Sequence, residues 1–273
     1  DMGFSNQINM MQIPYAAKRG ADAGALFADM PDRFRALVAG AAGCSPYLAG
    51  LLEKEASWIR RLENDGAQAL FQEVLKTPSE ATDLAATLRQ SKRRIALLTA
   101  LADLGGVWML EQVTNALTDF AGHALDIGLI HLLRAEIARG KLPMLGEDDL
   151  ETACGMSILA MGKMGAGELN YSSDIDLICL FDETRFNPDD YYDARSGFVR
   201  ITRRLMSLIS ENTQDGYVFR TDLRLRPDAS VTPVCIAMES AERYYESVGR
   251  NWERAAFIKA RACAGDIAAG EAF

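Results

Sequence analysis

The 273 residues predict an α+β protein, a mainly helical region followed by a small mixed sheet with flanking helices. Three observations carry that prediction. Leucine-rich stripes recur at helical spacing through the first half, two short apolar runs bounded by glycine or acid follow residue 150, and a proline-, glycine- and acid-containing stretch separates the two textures.

The helical elements come first. Ser45 before Pro46 reads as an N-cap with proline at the first helical position, and Leu48, Leu51, Leu52, Ile59 and Leu62 follow near helical spacing as far as Gly66. A second stripe runs through Leu84, Leu88, Ile95, Leu98 and Leu101 and stops at Gly105 and Gly106. Leu110, Val113, Leu117, Phe120, Ala124, Ile127 and His131 then step by three and four residues down the longest helix, which ends near Gly140. His131 on this stripe reads as a histidine hydrogen-bonded in a helix interface rather than as a ligand. Lys141 to Asp149, with Pro143, Gly146 and three closing acids, breaks the pattern and divides the chain into regions 1–148 and 149–273.

The sheet elements lie beyond that break. Met156 to Met161 and Ile175 to Phe181 have strand length and apolar composition. A helix with Phe198, Ile201, Leu205, Leu208 and Ile209 on one face follows, and Tyr217 to Leu225 alternates as a half-buried strand does.

Charge and cysteine usage narrow the function classes. With 29 basic against 38 acidic residues, the formal charge of −9 opposes binding to a polyanion, so no nucleic-acid partner is expected. The basic runs Lys92 to Arg94 and Arg203 with Arg204 read as solvated helix faces. Five cysteines form no CxxC pair and only His123 and His131 accompany them, which disfavours zinc and fits a reducing cytoplasm. No apolar run reaches membrane-spanning length, and Asp1 to Met11 lacks the pattern of a leader, so no membrane partner is expected. Asp at position 1 and an end inside an Ala/Gly-rich phrase at Phe273 point to a fragment of a longer chain.

The chemistry concentrates in MGKMGAGELNYSSDIDL, Met161 to Leu177. Gly162, Gly165 and Gly167 join two strands, and the second opens with Asp174 and Asp176, which, two apart on a strand, project from the same face. Flanked by Ile175, Leu177 and Ile178, such acids are costly unless a cation neutralises them, and all-oxygen ligation selects magnesium or manganese. Asp222 in the later strand is the third carboxylate, with Arg224 and Arg226 on its own side of the pleat. Carboxylates from two strands can bridge two divalent ions, a common arrangement in phosphoryl and nucleotidyl transfer. Backbone amides around Gly162, Lys163 and Gly165, leading into a short helix from Ala166 to Asn170, can hold phosphate oxygens. Ser172 and Ser173 either contact phosphate or cap the local turn. Trp252, Glu253 and Arg254, followed by Lys259 and Arg261, read either as a buried tryptophan with a surface ion pair or as a nucleotide or phosphate contact.

A glycine turn, an Asp-apolar-Asp strand and a distant Asp strand together resemble the nucleotidyltransferase superfamily typified by DNA polymerase β, with Gly162-Lys163 where that superfamily has Gly-Ser. Three longer phrases, GKMGAGELNYSSDIDLICLFD, DGYVFRTDLRLRPDASVTP and ERYYESVGRNWERAAFIKARACAGD, resemble the glutamine synthetase adenylyltransferase family over roughly residues 150 to 268, and SPYLAGLL at Ser45 to Leu52 resembles its amino-terminal helical region. Ala229 and Thr232 stand where that family has glycine.

The resemblance implies one half of a fused pair of nucleotidyltransferases, with 149–273 as the catalytic domain. GRNWERAAFIKAR, Gly249 to Arg261, is similar to the first half, which removes AMP from a tyrosine of adenylylated glutamine synthetase by phosphorolysis. It implies magnesium at Asp174, Asp176 and Asp222, orthophosphate and ADP or ATP as small partners, Arg224 or Arg226 as phosphate contacts, and the PII signal protein as regulator of the longer enzyme. The other readings are attachment of AMP from ATP, or a module that senses nucleotide or PII.

Overall fold

The computed structural model describes residues 3–273; Asp1 and Met2, at the start of the stretch read as lacking a leader, lie outside the described residues. The chain forms two compact units, Asp1–Thr77 with Arg89–Leu117, and Pro78–Leu88 with Thr118–Phe273. The division therefore crosses the helix Leu110–Ala138 instead of falling at 141–149, where the composition changes.

The first unit is helical. Ser45 caps the helix Pro46–Lys54 by accepting a hydrogen bond from the Leu48 amide at 3.2 Å, as Ser-Pro predicts. The stripe from Leu48 to Leu62 is not one helix: it breaks into Pro46–Lys54, Ala56–Ile59 and Leu62–Asp65. Phe27, Phe34, Leu37, Leu52, Ile59 and Leu62 are fully buried, and Phe27 meets Phe34 at 5.7 Å between ring centroids. The run Lys92 to Arg94 is not a solvated face. Arg94 Nε donates to Glu55 Oε2 at 2.9 Å, Arg93 Nε lies 3.5 Å from Oε1, and burial pulls the Lys92 pKa down to about 7. A buried carboxylate of this kind needs partners, and helix spacing alone does not show that Glu55 lies opposite the run.

The second unit carries the sheet. β1 (Met156–Met161) and β2 (Ile175–Phe181) form at the predicted residues and pair antiparallel, Met156 opposite Phe181 and Met161 opposite Asp176. On its other edge β2 pairs in parallel with β3 (Thr221–Asp222) and, further along, with β4 (Cys235–Ala237), while β5 (Arg261–Gly265) closes the far side of β1. All six β1 residues are buried because both faces are covered. One face packs Leu159, Met161, Ile178, Leu180 and Ile236 together. Towards the helix Tyr191–Ser210, Phe181 stacks on Phe198 at 5.0 Å.

The second half of Leu110–Ala138 belongs to this unit by specific contacts. Phe120 meets Phe219 at 5.9 Å, and Asp126 Oδ1 accepts from the Gly265 amide at 2.9 Å. His131 Nδ1 lies 2.9 Å from the Ser79 carbonyl, the interface role expected of it. Leu110, at the start of the proposed stripe, is 73% exposed. Arg200 and Arg204 both bind the buried Glu136; Arg203 and Arg204 are both exposed, and Arg204 is in addition committed to that ion pair.

Candidate active site

Two adjacent parallel strands set the centre of the site: Asp176 of β2 is the register partner of Asp222 of β3. Neighbouring strands lie about 4.8 Å apart, so the two carboxylates leave adjacent backbones. Asp174, just before β2, adds a third negative charge. The Asp176 pKa is raised, first by burial and then by Asp222 and Asp174, with Arg224 opposing. Asp222 is shifted the other way: its hydrogen bonds with Arg224 outweigh burial and hold it ionised.

The strand predicted over Tyr217 to Leu225 is much shorter, Thr221–Asp222 only. The chain turns directly after Asp222, so Arg224 and Arg226 do not share its pleat. Arg224 instead folds back on Asp222, with Nη2 to Oδ2 at 2.5 Å and its amide to Oδ1 at 2.8 Å. Arg226 braces the turn through the carbonyls of Leu223, Ala229 and Thr232. Thr232, where the resembling family has glycine, ties the same turn by donating from Oγ1 to the Pro227 carbonyl at 2.6 Å.

The glycine connection forms a single turn, Gly162–Gly165, in place of the short helix expected at Ala166 to Asn170. Gly162 has φ +55°, and a Cβ there would stand 2.8 Å from Asp176 Oδ2, so the absent side chain leaves that carboxylate open to the turn. At Gly165 a Cβ would meet the Lys259 carbonyl at 2.1 Å and that of Ala160 at 2.5 Å; the turn is thus seated against the segment entering β5. Lys163 points outward and is exposed. Ser172 and Ser173 cap the local turn through Asn170 Oδ1, Ser173 Oγ at 2.7 Å. Arg220, which sequence reasoning missed, joins this loop to the site: Nε reaches Asp174 Oδ1 at 2.6 Å and Nη2 the Ser172 carbonyl at 2.8 Å. It lies two residues before Asp222, so the alternation had already put it on the site face.

The Trp252 cluster inverts its simplest expectation. Trp252 is 52% exposed, whereas Glu253 is buried, accepting from the Tyr244 hydroxyl at 3.0 Å and the Arg250 amide at 2.9 Å. Arg254 bonds the carbonyls of Tyr245 and Glu246, Lys259 pairs with Glu168 at 3.6 Å, and Arg261 sits in β5.

The all-oxygen donor set of Asp174, Asp176 and Asp222 suits magnesium or manganese, and Asp176 beside two like charges lacks a counter-cation of its own. As the side chains stand, Arg220 and Arg224 hold Asp174 and Asp222, and among the described residues no three acid, cysteine or histidine side chains are grouped around one ion position.

Paired carboxylates on neighbouring strands beneath a glycine turn are the arrangement that the resemblance to the nucleotidyltransferases implies. Comparison with known proteins gives the family: the model for glutamate-ammonia ligase adenylyltransferase matches residues 36–273, and the chain belongs to that family. It is 51% identical over 246 residues, 87% of its length, to the bifunctional glutamine synthetase adenylyltransferase/adenylyl-removing enzyme of Bradyrhizobium sp. strain BTAi1, covering 25% of that protein. It is 45% identical to the enzyme of the same name from Rhodopseudomonas palustris strain HaA2 over 90% of the chain and 26% of that protein. For Caulobacter vibrioides the identity is 44% over 84% of the chain and 24% of that protein. The chain thus spans about a quarter of the length of the curated relatives it matches. Among the described residues no helix is long and apolar enough to cross a membrane.

Proposed function

We propose that this chain removes AMP from an adenylylated tyrosine of glutamine synthetase by phosphorolysis. An oxygen of orthophosphate attacks the adenylyl phosphorus; the new P–O bond makes ADP, and the bond to the tyrosine oxygen breaks with its electron pair leaving as phenolate, which takes up a proton. The observation that supports the reading is the register pairing of Asp176 with Asp222 beside the Arg224 guanidinium, two carboxylates and a cation that would serve as metal ligands and phosphate contact. A magnesium or manganese ion held by Asp174, Asp176 and Asp222 would neutralise charge on the phosphoryl oxygens. Arg224 orients the incoming phosphate, and Gly162, without a side chain, leaves Asp176 Oδ2 open to the Gly162–Gly165 turn.

The direction, removal and not attachment, rests on the likeness of Gly249 to Arg261 to the first half of the family; the relatives' names carry both activities. Incubation with adenylylated glutamine synthetase, magnesium and phosphate tests it. ADP is the expected product. AMP would mean hydrolysis, and efficient transfer of label from ATP onto the unmodified synthetase, without release by phosphate, would assign the chain to attachment.

A further inference from the structure

Beside the carboxylate pair lies a cleft of about 200 Å³ that brings together Arg224, Arg226 and Asp228 from the turn after β3 with Tyr244 of the helix Met238–Ser247 and with Arg250 and Trp252 at the start of the next helix, Asn251–Ala256. Its chemistry is specific. Arg224 links the cleft to Asp222, its side chain 86% exposed beyond that contact. Arg250 is exposed, and among the described residues its guanidinium enters no ion pair with a carboxylate. Glu253, the acid nearest to it in sequence, does not neutralise the lip, because its carboxylate is buried and held by the Tyr244 hydroxyl and the Arg250 amide. That buried carboxylate fixes the backbone that presents Arg250 and Trp252 outward. Trp252, half-exposed beside these cations, offers a flat face of the kind that stacks on nucleobases.

Two guanidinium groups and an indole lining one cleft fit a ligand with an anionic part and a planar part. Inorganic phosphate alone would leave the indole without a partner. We propose that this cleft binds a nucleoside phosphate, its phosphate between Arg224 and Arg250 and its base against Trp252; the choice of adenine rests on the proposed adenylyl chemistry. Arg226 is not a ligand in this site but the brace of its floor.

Trp58 and Trp108 are buried and Trp252 alone of the three tryptophans is exposed, so base stacking has an optical signature. The chain is titrated without divalent ions with ADP, AMP, adenosine and inorganic phosphate, followed by tryptophan fluorescence and calorimetry. ADP is expected to change the emission. Trp252→Ala abolishes that change and weakens ADP about five-fold or more, whereas Trp252→Phe abolishes it yet keeps the affinity within about two-fold. Arg250→Ala weakens ADP about ten-fold and leaves adenosine unaffected. Phosphate or adenosine binding as tightly as ADP, or both alanine variants binding ADP as the parent does, would overturn the proposal. Release of ADP from adenylylated glutamine synthetase at the parental rate by variants that no longer bind ADP would sink the cleft and leave the proposed reaction standing.

Discussion

The guanidinium of Arg224 closes on the carboxylate of Asp222, two residues behind it, through Nη2 at 2.5 Å and Nε at 2.9 Å to the same oxygen. The contact exists because the chain turns after Asp222 instead of extending β3. One cation thereby occupies the acid that a metal would use. Arg224→Ala is expected to raise manganese affinity about ten-fold, read from the free-ion EPR signal, while slowing phosphorolysis. Unchanged manganese affinity would show that the arginine does not compete for Asp222.

Asp176→Asn removes one of three clustered negative charges at constant volume. Turnover is expected to be lost while the metal-free protein melts a few degrees higher, since the burial cost and the like-charge repulsion that raise the Asp176 pKa are both relieved. Calorimetric melting with and without magnesium checks this: the ion should stabilise the parent and not the variant. Retained turnover with a normal metal requirement would remove Asp176 from the ligand set.

Gly162→Ala places a methyl 2.8 Å from Asp176 Oδ2 at a φ of +55°. The expected cost is about 1–2 kcal/mol of stability, together with a loss of activity larger than the stability change explains. Urea unfolding and initial rates at a temperature where both proteins stay folded separate the two effects.

Glu136 is buried between Arg200 and Arg204, with contacts of 2.8 and 2.7 Å. Burial by itself would raise its pKa, yet the pull of Arg200, Arg204 and Arg139 prevails and the net shift is below the ordinary 4.5. Its stabilisation is therefore present above that value and lost as pH falls through the depressed one. Glu136→Gln is expected to cost about 1–3 kcal/mol at neutral pH, reduced from a fully buried pair because both arginines are part-exposed. In urea melts the gap to the parent should narrow below about pH 4; a gap constant with pH would mean that packing, not charge, is the cause.

The parts of the fold legible in the sequence were those fixed by local pattern. Met156 to Met161 and Ile175 to Phe181 form strands at the predicted residues because each is a continuous apolar run buried on both faces, and Ser45-Pro46 caps its helix as written. The parts that were not legible depend on what lies across the fold. Tyr217 to Leu225 alternates correctly, but β2 shares that edge between β3 and β4, so only Thr221–Asp222 pairs before the turn. In the same way, nothing local marks Glu253 as the buried member of its cluster and Trp252 as the exposed one; the Tyr244 hydroxyl, one helix back, decides it. The carboxylates were readable from their period, whereas the arginines that hold two of them, Arg220 and Arg224, took their places only with the turn in hand.

The unit bearing the carboxylates is discontinuous in the chain: Pro78–Leu88 belongs with Thr118–Phe273. For protein engineering this makes the unit an interrupted cassette. An expression piece trimmed to the compositional break at 149 would strip Phe120 from Phe219, Asp126 from Gly265 and His131 from Ser79, leaving the β5 side of the sheet without its helix. A piece that begins at Pro78 keeps this unit whole but necessarily carries Arg89–Leu117, which belongs to the other unit and would leave Glu55 behind.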